Sequence, residues 1–125
     1  MAVLDASALL ILINREVGSE VVNEVVTGGL MSSVNHSEVV AKLVELGLTE
    51  AAIRGSLDAL EIEVVAFDAE QSYTAGLLRP ATKSRGLSLG DRACLTLALH
   101  FGLPVITADR AWTELDLGVE VRLAR

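Results

Sequence analysis

The chain has 125 residues and a formal net charge of −7, and 51% of its residues are hydrophobic. The apolar content excludes an intrinsically disordered chain, and the length predicts a single domain over residues 1–125. The negative charge argues against a general electrostatic grip on nucleic acid, and the few aromatic residues (one Trp, one Tyr, two Phe) argue against a base-stacking surface. The single cysteine, Cys94, excludes an internal disulfide and a zinc site built from cysteines.

The N-terminal segment and the apolar stretches predict a soluble protein of a reducing compartment. The chain opens on Ala2-Val3-Leu4-Asp5, with neither a basic segment nor a signal-peptide cleavage site. Its apolar stretches are too short to cross a bilayer. We therefore expect a cytoplasmic protein without a membrane segment.

Strand-like and helix-like segments alternate along the chain. In chain order, the first half predicts a strand over Ala2–Leu4, helices over Ser7–Ile13 and Ser19–Thr27, a strand over Leu30–Val34, and helices from Asn35 to Gly47 and from Thr49 to Leu60. The second half predicts a strand over Ile62–Phe67, helices from Asp68 to about Arg79 and from Ser88 to Phe101, and strands over Pro104–Thr107 and Val119–Leu123. This alternation predicts an α/β fold, a three-layer α/β/α sandwich around a mostly parallel sheet of four to five strands.

Four acidic residues are predicted to lie at one edge of this sheet. Asp5 ends the first strand and Asp109 ends the fourth, while Glu38 and Asp91 lie in the first turns of two helices. Ligand sites in open parallel sheets lie beyond the carboxyl ends of the strands. If strands one and four are neighbours, the four acids can converge on one pocket.

Each acid also has a purely structural interpretation. Asp5 and Asp109 can cap the helix or turn that follows them, and Asn35–Glu38 and Ser88–Asp91 both resemble capping boxes. The sequence periodicity alone places Glu38 on a solvated face. Capping explains each acid separately, but it does not explain why all four fall at one edge of one sheet.

Clustered carboxylates repel one another, and a divalent cation relieves that repulsion. Mg²⁺ and Mn²⁺ take oxygen ligands, and such ions can activate water and stabilise the leaving oxygen in phosphodiester hydrolysis. The only basic stretch, Arg79–Arg85, leads into the helix that carries Asp91. It is a candidate for phosphate contacts, and the alternative is an ordinary solvated loop.

Four segments resemble the motifs of PIN-domain ribonucleases, most closely the VapC-type toxins of bacterial and archaeal toxin–antitoxin pairs. The segments are Asp5–Ala8, Asn35–Leu43, Leu87–Ala93 and Thr107–Trp112, in the order and spacing of that family. The resemblance implies an α/β/α sandwich, a Mg²⁺- or Mn²⁺-dependent RNA endonuclease and a homodimer. It also implies a small VapB-like antitoxin that wraps the toxin and obstructs its cleft.

The same resemblance assigns roles to individual residues. The metal-binding acids would be Asp5, Glu38, Asp91 and Asp109. The hydroxyls of Ser7 and Thr107 and the amide of Asn35 would hold these acids in position without binding the metal themselves. The candidates for RNA contacts are Arg79, Lys83, Arg85, Arg92 and Arg110. Asp116 lies near a position where some relatives carry a further acid.

Two other classes of protein stay open on the sequence alone. A receiver-like phosphoryl-transfer domain would need paired acids near the first strand, and Asp5-Ala6-Ser7 does not supply them. A non-catalytic interaction module would use the acids only as helix caps and its apolar excess, a mean hydropathy of +0.49, to cover a partner. Metal binding separates this module from the ribonuclease.

Overall fold

The computed structural model describes residues 1–125, in which five strands alternate with seven α-helices. The first half contains β1 (Val3–Leu4), α1 (Ala6–Ile13), α2 (Ser19–Asn23), β2 (Leu30–Ser32), α3 (Ser33–Glu45) and α4 (Glu50–Asp58). The second half contains β3 (Glu63–Val65), α5 (Ala69–Leu77), α6 (Arg79–Thr82), α7 (Leu89–Phe101), β4 (Val105–Thr107) and β5 (Val121–Leu123). Two 3₁₀ turns, Lys83–Arg85 and Arg110–Glu114, follow α6 and β4.

The five strands form one sheet in the order β3-β2-β1-β4-β5, and every pair is parallel. The shortest strand, β1, lies at the centre between β2 and β4, where Val3 pairs with Leu30 and Leu4 pairs with Ile106. Strands one and four are therefore neighbours, which is the condition under which the four acids can converge. Because all strands run the same way, their carboxyl ends share one edge of the sheet.

Alternate residues of the central strand face two separate apolar cores. Leu4 packs in a core with α1, α3 and α4, which contribute buried residues such as Leu9, Leu43 and Ile53. Val3 packs in the opposite core against α7 and the buried ring of Trp112. Each fully buried valine, leucine or isoleucine side chain contributes about 1.5–3 kcal/mol to the free energy of unfolding. The predicted three-layer α/β/α sandwich is confirmed, with a fully parallel sheet.

The third helix differs from the sequence prediction at its start, and the second helix differs at its end. The third helix begins at Ser33 rather than Asn35, because the Ser32 hydroxyl accepts the Val34 N–H at 3.2 Å and ends β2 early. The capping box predicted over Asn35–Glu38 is therefore wrong. The second helix begins at Ser19 as predicted, after Gly18 in a left-handed conformation (φ +99°), but it ends at Asn23 instead of Thr27.

The basic stretch is helical rather than a loop. Pro80 lies in the first turn of α6, where proline is compatible with a helix because no N–H is required there. The chain continues through the 3₁₀ turn Lys83–Arg85 and reverses at Gly86, whose φ is +68°. No helix combines the length and the hydropathy needed to cross a bilayer.

Candidate functional site

Asp5 lies at the centre of the candidate site, directly after β1. It is 4% exposed, and its Oδ1 accepts hydrogen bonds from the Ser7 hydroxyl at 2.7 Å and from the Ala8 N–H at 2.8 Å. The Thr107 hydroxyl donates to its Oδ2. Asp5 therefore caps α1, as expected, and is also tied to the end of β4.

The charge of Asp5 is poorly compensated by these contacts. Burial raises the pKa of Asp5 from its ordinary value of 3.8 to about 6, while the hydrogen bonds from Thr107, Ser7 and Ala8 lower it. The negative charge of Asp91 raises the pKa further. Since the net shift of the pKa is upward, burial outweighs the three hydrogen-bond donors. A cation at this position would offset the negative charges of Asp5 and Asp91.

Asp91 lies at the start of α7, where the predicted capping box is confirmed. The Asp91 N–H donates to the Ser88 hydroxyl oxygen at 3.2 Å, and Asp91 Oδ2 accepts the Ser88 N–H at 2.9 Å. The box uses only one oxygen of the Asp91 carboxylate. It orients a half-buried acid toward the edge that Asp5 occupies.

Glu38 is exposed, as its sequence periodicity indicated, yet its carboxylate lies against the first turn of α7. The Asn35 side-chain amide donates to Glu38 Oε1 at 2.9 Å and to the carbonyl oxygen of Gly90 at 2.9 Å. Asn35 is 1% exposed, and its Oδ1 has no hydrogen-bond partner. Glu38 is thus brought next to Gly90, the residue before Asp91, by contacts between α3 and α7.

Three of the acids lie near enough to the buried thiol of Cys94 for their charges to act on it. Burial raises the pKa of Cys94, and the negative charges of Asp5, Asp91 and Glu38 raise it further. Cys94 itself belongs to the core beneath α7. The three acids therefore share one edge of the sheet, next to the apolar core that contains Cys94.

Asp109 lies at the same edge, and its carboxylate is engaged by the turn that follows β4. It caps the 3₁₀ turn Arg110–Glu114 by accepting the Ala111 N–H at 2.9 Å. Its own N–H donates to Thr107 Oγ1 at 3.1 Å, so its backbone is linked to Asp5 through that hydroxyl. In this arrangement, no three His, Cys, Asp or Glu side chains lie close enough together to bind one metal ion.

The donor chemistry nevertheless fits a hard divalent cation. The acids offer carboxylate oxygens without a histidine or a thiolate, which is the ligand set that Mg²⁺ and Mn²⁺ prefer. The raised pKa of Asp5 reflects burial and negative charge that the protein leaves uncompensated. Asp109 and Glu38 are exposed, so both carboxylates are accessible from solvent.

The basic candidates differ in how free their charges are. The guanidinium of Arg85 pairs with Glu114, and Arg92 Nη1 donates to the Ala75 carbonyl at 3.0 Å while its Nε is buried. The exposed cations without an ion pair are Arg79, Lys83 and Arg110. Asp116 is exposed in the segment between the second 3₁₀ turn and β5.

The chain belongs to the PIN domain family, because the PIN domain family model matches residues 2–117. A search of curated protein sequences finds no significant match. The sequence resemblance to PIN-domain proteins is thereby confirmed at the level of the family.

Solved structures of toxin–antitoxin complexes contain chains with the same fold. A chain of a toxin–antitoxin complex from Klebsiella pneumoniae superposes with a TM-score of 0.81 at 18% identity, covering 100% of this chain and 98% of that one. DNA-bound VapBC from Salmonella typhimurium gives 0.75 at 19% identity, covering 100% of both chains. VapBC2 from Rickettsia felis, bound to a fragment of its promoter, gives 0.74 at 17% identity, covering 98% and 97%.

Proposed function

We propose that this chain is a VapC-like toxin, a metal-dependent endoribonuclease that hydrolyses RNA phosphodiester bonds. The observation that carries the proposal is the buried Asp5, whose pKa is raised to about 6 beside the charge of Asp91. An acid in that environment is typical of a functional site rather than of a simple helix cap. Membership of the PIN domain family and the shared fold of VapBC chains support the same activity.

In this proposal Asp5, Glu38, Asp91 and Asp109 hold Mg²⁺ or Mn²⁺. When bound, the ion supplies positive charge for water activation and for the negative charge that develops on the phosphate. Ser7 and Thr107 fix the orientation of Asp5, as Asn35 does for Glu38. Asp109 completes the set when its carboxylate turns from the Ala111 N–H toward Asp5.

The RNA backbone would be held by cations around this edge. Arg79, Lys83 and Arg110 are exposed and unpaired, which supports phosphate contacts. Arg85 is available after it leaves Glu114, whereas Arg92 is the weakest candidate because its guanidinium packs against α5. Asp116 is a further acid for the site only if the segment that carries it moves inward.

We also propose a VapB-like antitoxin partner, a homodimer and a cytoplasmic location, with residues 1–125 as one domain. VapBC complexes of the same fold support the partner. Large exposed apolar side chains, including Leu46 at 60%, Tyr73 at 70% and Leu77 at 79%, support protein contacts. The free, buried Cys94 is compatible with a reducing compartment. Light scattering of the purified chain tests the dimer directly.

The deciding experiment is cleavage of a mixed RNA pool with Mg²⁺ or Mn²⁺, with EDTA, and with the Asp91→Asn variant. We expect metal-dependent cleavage that the variant loses while its stability stays within about 1 kcal/mol of wild type, because asparagine retains an oxygen for the Ser88 N–H. Asp68→Asn is the matched control, since Asp68 also caps a helix, through the Gln71 N–H at 2.9 Å, away from the acids. Cleavage that survives in Asp91→Asn would contradict the site assignment.

A non-catalytic interaction module is the second candidate. It is favoured by the capping bonds that Asp5, Asp91 and Asp109 each make, and by the separation of the acids in this arrangement. Calorimetry with Mn²⁺ separates the two candidates. No metal binding together with no cleavage would return the acids to a capping role.

A further inference from the structure

We propose that Gly90 is a positioning residue of the site: its missing side chain leaves the space in which the Glu38 carboxylate lies against the first turn of α7, the turn that carries Asp91. The inference rests on the proposed function, because it assigns Glu38 a place at the metal. Gly90 is the residue before Asp91 in the first turn of α7, and it is buried.

The geometry of this contact is tight. A Cβ atom built on Gly90 would lie 2.5 Å from Glu38 Oε1, 2.7 Å from Oε2 and 2.8 Å from the carboxylate carbon. These separations are well inside van der Waals contact. The carboxylate of Glu38 therefore occupies the volume that any other residue at position 90 would fill.

Asn35 holds the two partners together. Its side-chain amide donates one hydrogen bond to Glu38 Oε1 and another to the Gly90 carbonyl, both at 2.9 Å. The amide is buried between α3 and α7, so it defines the distance between the Glu38 carboxylate and the start of α7. Gly90 supplies the space, and Asn35 fixes the carboxylate within it.

A side chain at position 90 should move Glu38 rather than unfold the protein. The three atoms nearest to such a Cβ all belong to the end of a flexible, exposed side chain, and none of these three belongs to the backbone. Position 90 has an ordinary helical backbone, and alanine is favoured over glycine in helices. Gly90→Ala therefore separates the position of Glu38 from the stability of the fold.

The test measures Mn²⁺ affinity by calorimetry for wild type and Gly90→Ala. We expect the variant to bind Mn²⁺ about 10–100-fold more weakly, with an unfolding temperature no lower than that of wild type. Gly76→Ala is the matched control, because Gly76 lies in α5 and a Cβ there would meet nothing within 4 Å. The control should bind Mn²⁺ as wild type does.

A second variant tests the positioning role by rescue. Glu38→Asp shortens the side chain by one methylene and withdraws the carboxylate from the Cβ of Ala at position 90. We expect the combination of Gly90→Ala with Glu38→Asp to bind Mn²⁺ more tightly than additivity of the two single changes allows. Strict additivity would overturn the steric explanation.

A metal-free measurement distinguishes failure of this inference from failure of the proposed function. The chain has only four side-chain amides, on Asn14, Asn23, Asn35 and Gln71, so the Asn35 signal can be assigned in an NMR spectrum. Gly90→Ala should shift that signal, and Gly76→Ala should not. Normal Mn²⁺ binding and an unshifted Asn35 signal in Gly90→Ala would overturn this inference alone. Absence of Mn²⁺ binding in wild type would overturn the proposed function and the role of Gly90 with it.

Discussion

The Thr107 hydroxyl, at the end of β4, donates a hydrogen bond to the carboxylate of Asp5, which lies 102 positions earlier in the chain. The parallel register that pairs Leu4 with Ile106 places these two residues side by side. Thr107 Oγ1 also accepts the Asp109 N–H at 3.1 Å. One buried hydroxyl thus connects two of the four acids.

Replacing Thr107 with valine should destabilise the protein and raise the pKa of Asp5 above its present value of about 6. The variant removes the donor that does most to lower this pKa and leaves the buried Asp5 Oδ2 without it. The free energy of unfolding should fall by about 1–3 kcal/mol. Urea unfolding and a ¹³C NMR titration of the Asp5 carboxyl measure the two effects. Thr107→Ser, which keeps the hydroxyl, should retain the lower pKa; an equal shift in both variants would contradict the explanation.

Metal-free protein should lose stability as the pH rises from about 4 to about 6. Because burial raises the pKa of Asp5 from 3.8 to about 6, the folded chain keeps a proton in this range that the unfolded chain releases. The Asp5 contribution to the free energy of unfolding therefore falls by up to about 3 kcal/mol across the window and is constant above it. Urea unfolding in EDTA over this pH range measures the slope.

The control for this pH dependence is Asp5→Asn, which cannot titrate but keeps an oxygen for the Ala8 N–H. Its stability should depend less on pH and should exceed that of wild type near neutral pH. A slope that is identical in Asp5→Asn and wild type would assign the effect to another group.

Replacing Ser88 with alanine should cost stability and also disturb the site. The variant removes the hydroxyl that accepts the Asp91 N–H, and loss of such a cap costs about 1 kcal/mol. Thr49→Ala is the matched control, since Thr49 caps α4 through the Ala52 N–H at 3.2 Å. Both variants should lose similar stability in urea unfolding, but only Ser88→Ala should weaken Mn²⁺ binding. Equal Mn²⁺ affinities would show that the Ser88 cap does not orient Asp91.

Replacement by alanine should affect RNA binding at Lys83 and the stability of the fold at Arg92. Lys83 is exposed and unpaired. Lys83→Ala should therefore weaken RNA binding by the catalytically inactive Asp91→Asn protein without a change in stability. The slope of log Kd against log salt concentration should fall by about 1. Arg92→Ala should lower stability by about 1–3 kcal/mol, because it removes the donor to the Ala75 carbonyl. Filter binding at several salt concentrations and urea unfolding measure the two effects. Unchanged salt dependence in Lys83→Ala would remove Lys83 from the RNA surface.

The features that the sequence predicted correctly are set by short-range signals. Asp5 directly follows an apolar strand, and Ser88–Asp91 forms a capping box from four consecutive residues. Such patterns place the strand ends and the helix starts, and the parallel topology then brings Asp5 and Asp91 to one edge. The order of the elements was sufficient to predict the three layers.

The features that the sequence did not predict depend on long-range contacts or on competition between neighbours. Ser32 and Asn35 are both good helix caps, and only the pairing of β2 shows that the helix begins with Ser32 as its cap. The contact between Glu38 and Gly90 joins residues on two different helices, and no local pattern encodes it. The Asp109 carboxylate can either cap the 3₁₀ turn or face the other acids. Neither periodicity nor spacing in the sequence predicts which of the two occurs.

The position of β1 has a consequence for synthesis of the chain. Asp5 is synthesised before the residues that bury it, because Thr107 and the end of β4 follow it by more than one hundred positions. A nascent chain that ends before Thr107 therefore has no central strand pairing on that side, and it lacks Asp109 and the hydroxyl that donates to Asp5. We infer that the activity proposed for this protein arises only after β4 has been synthesised and has paired with β1.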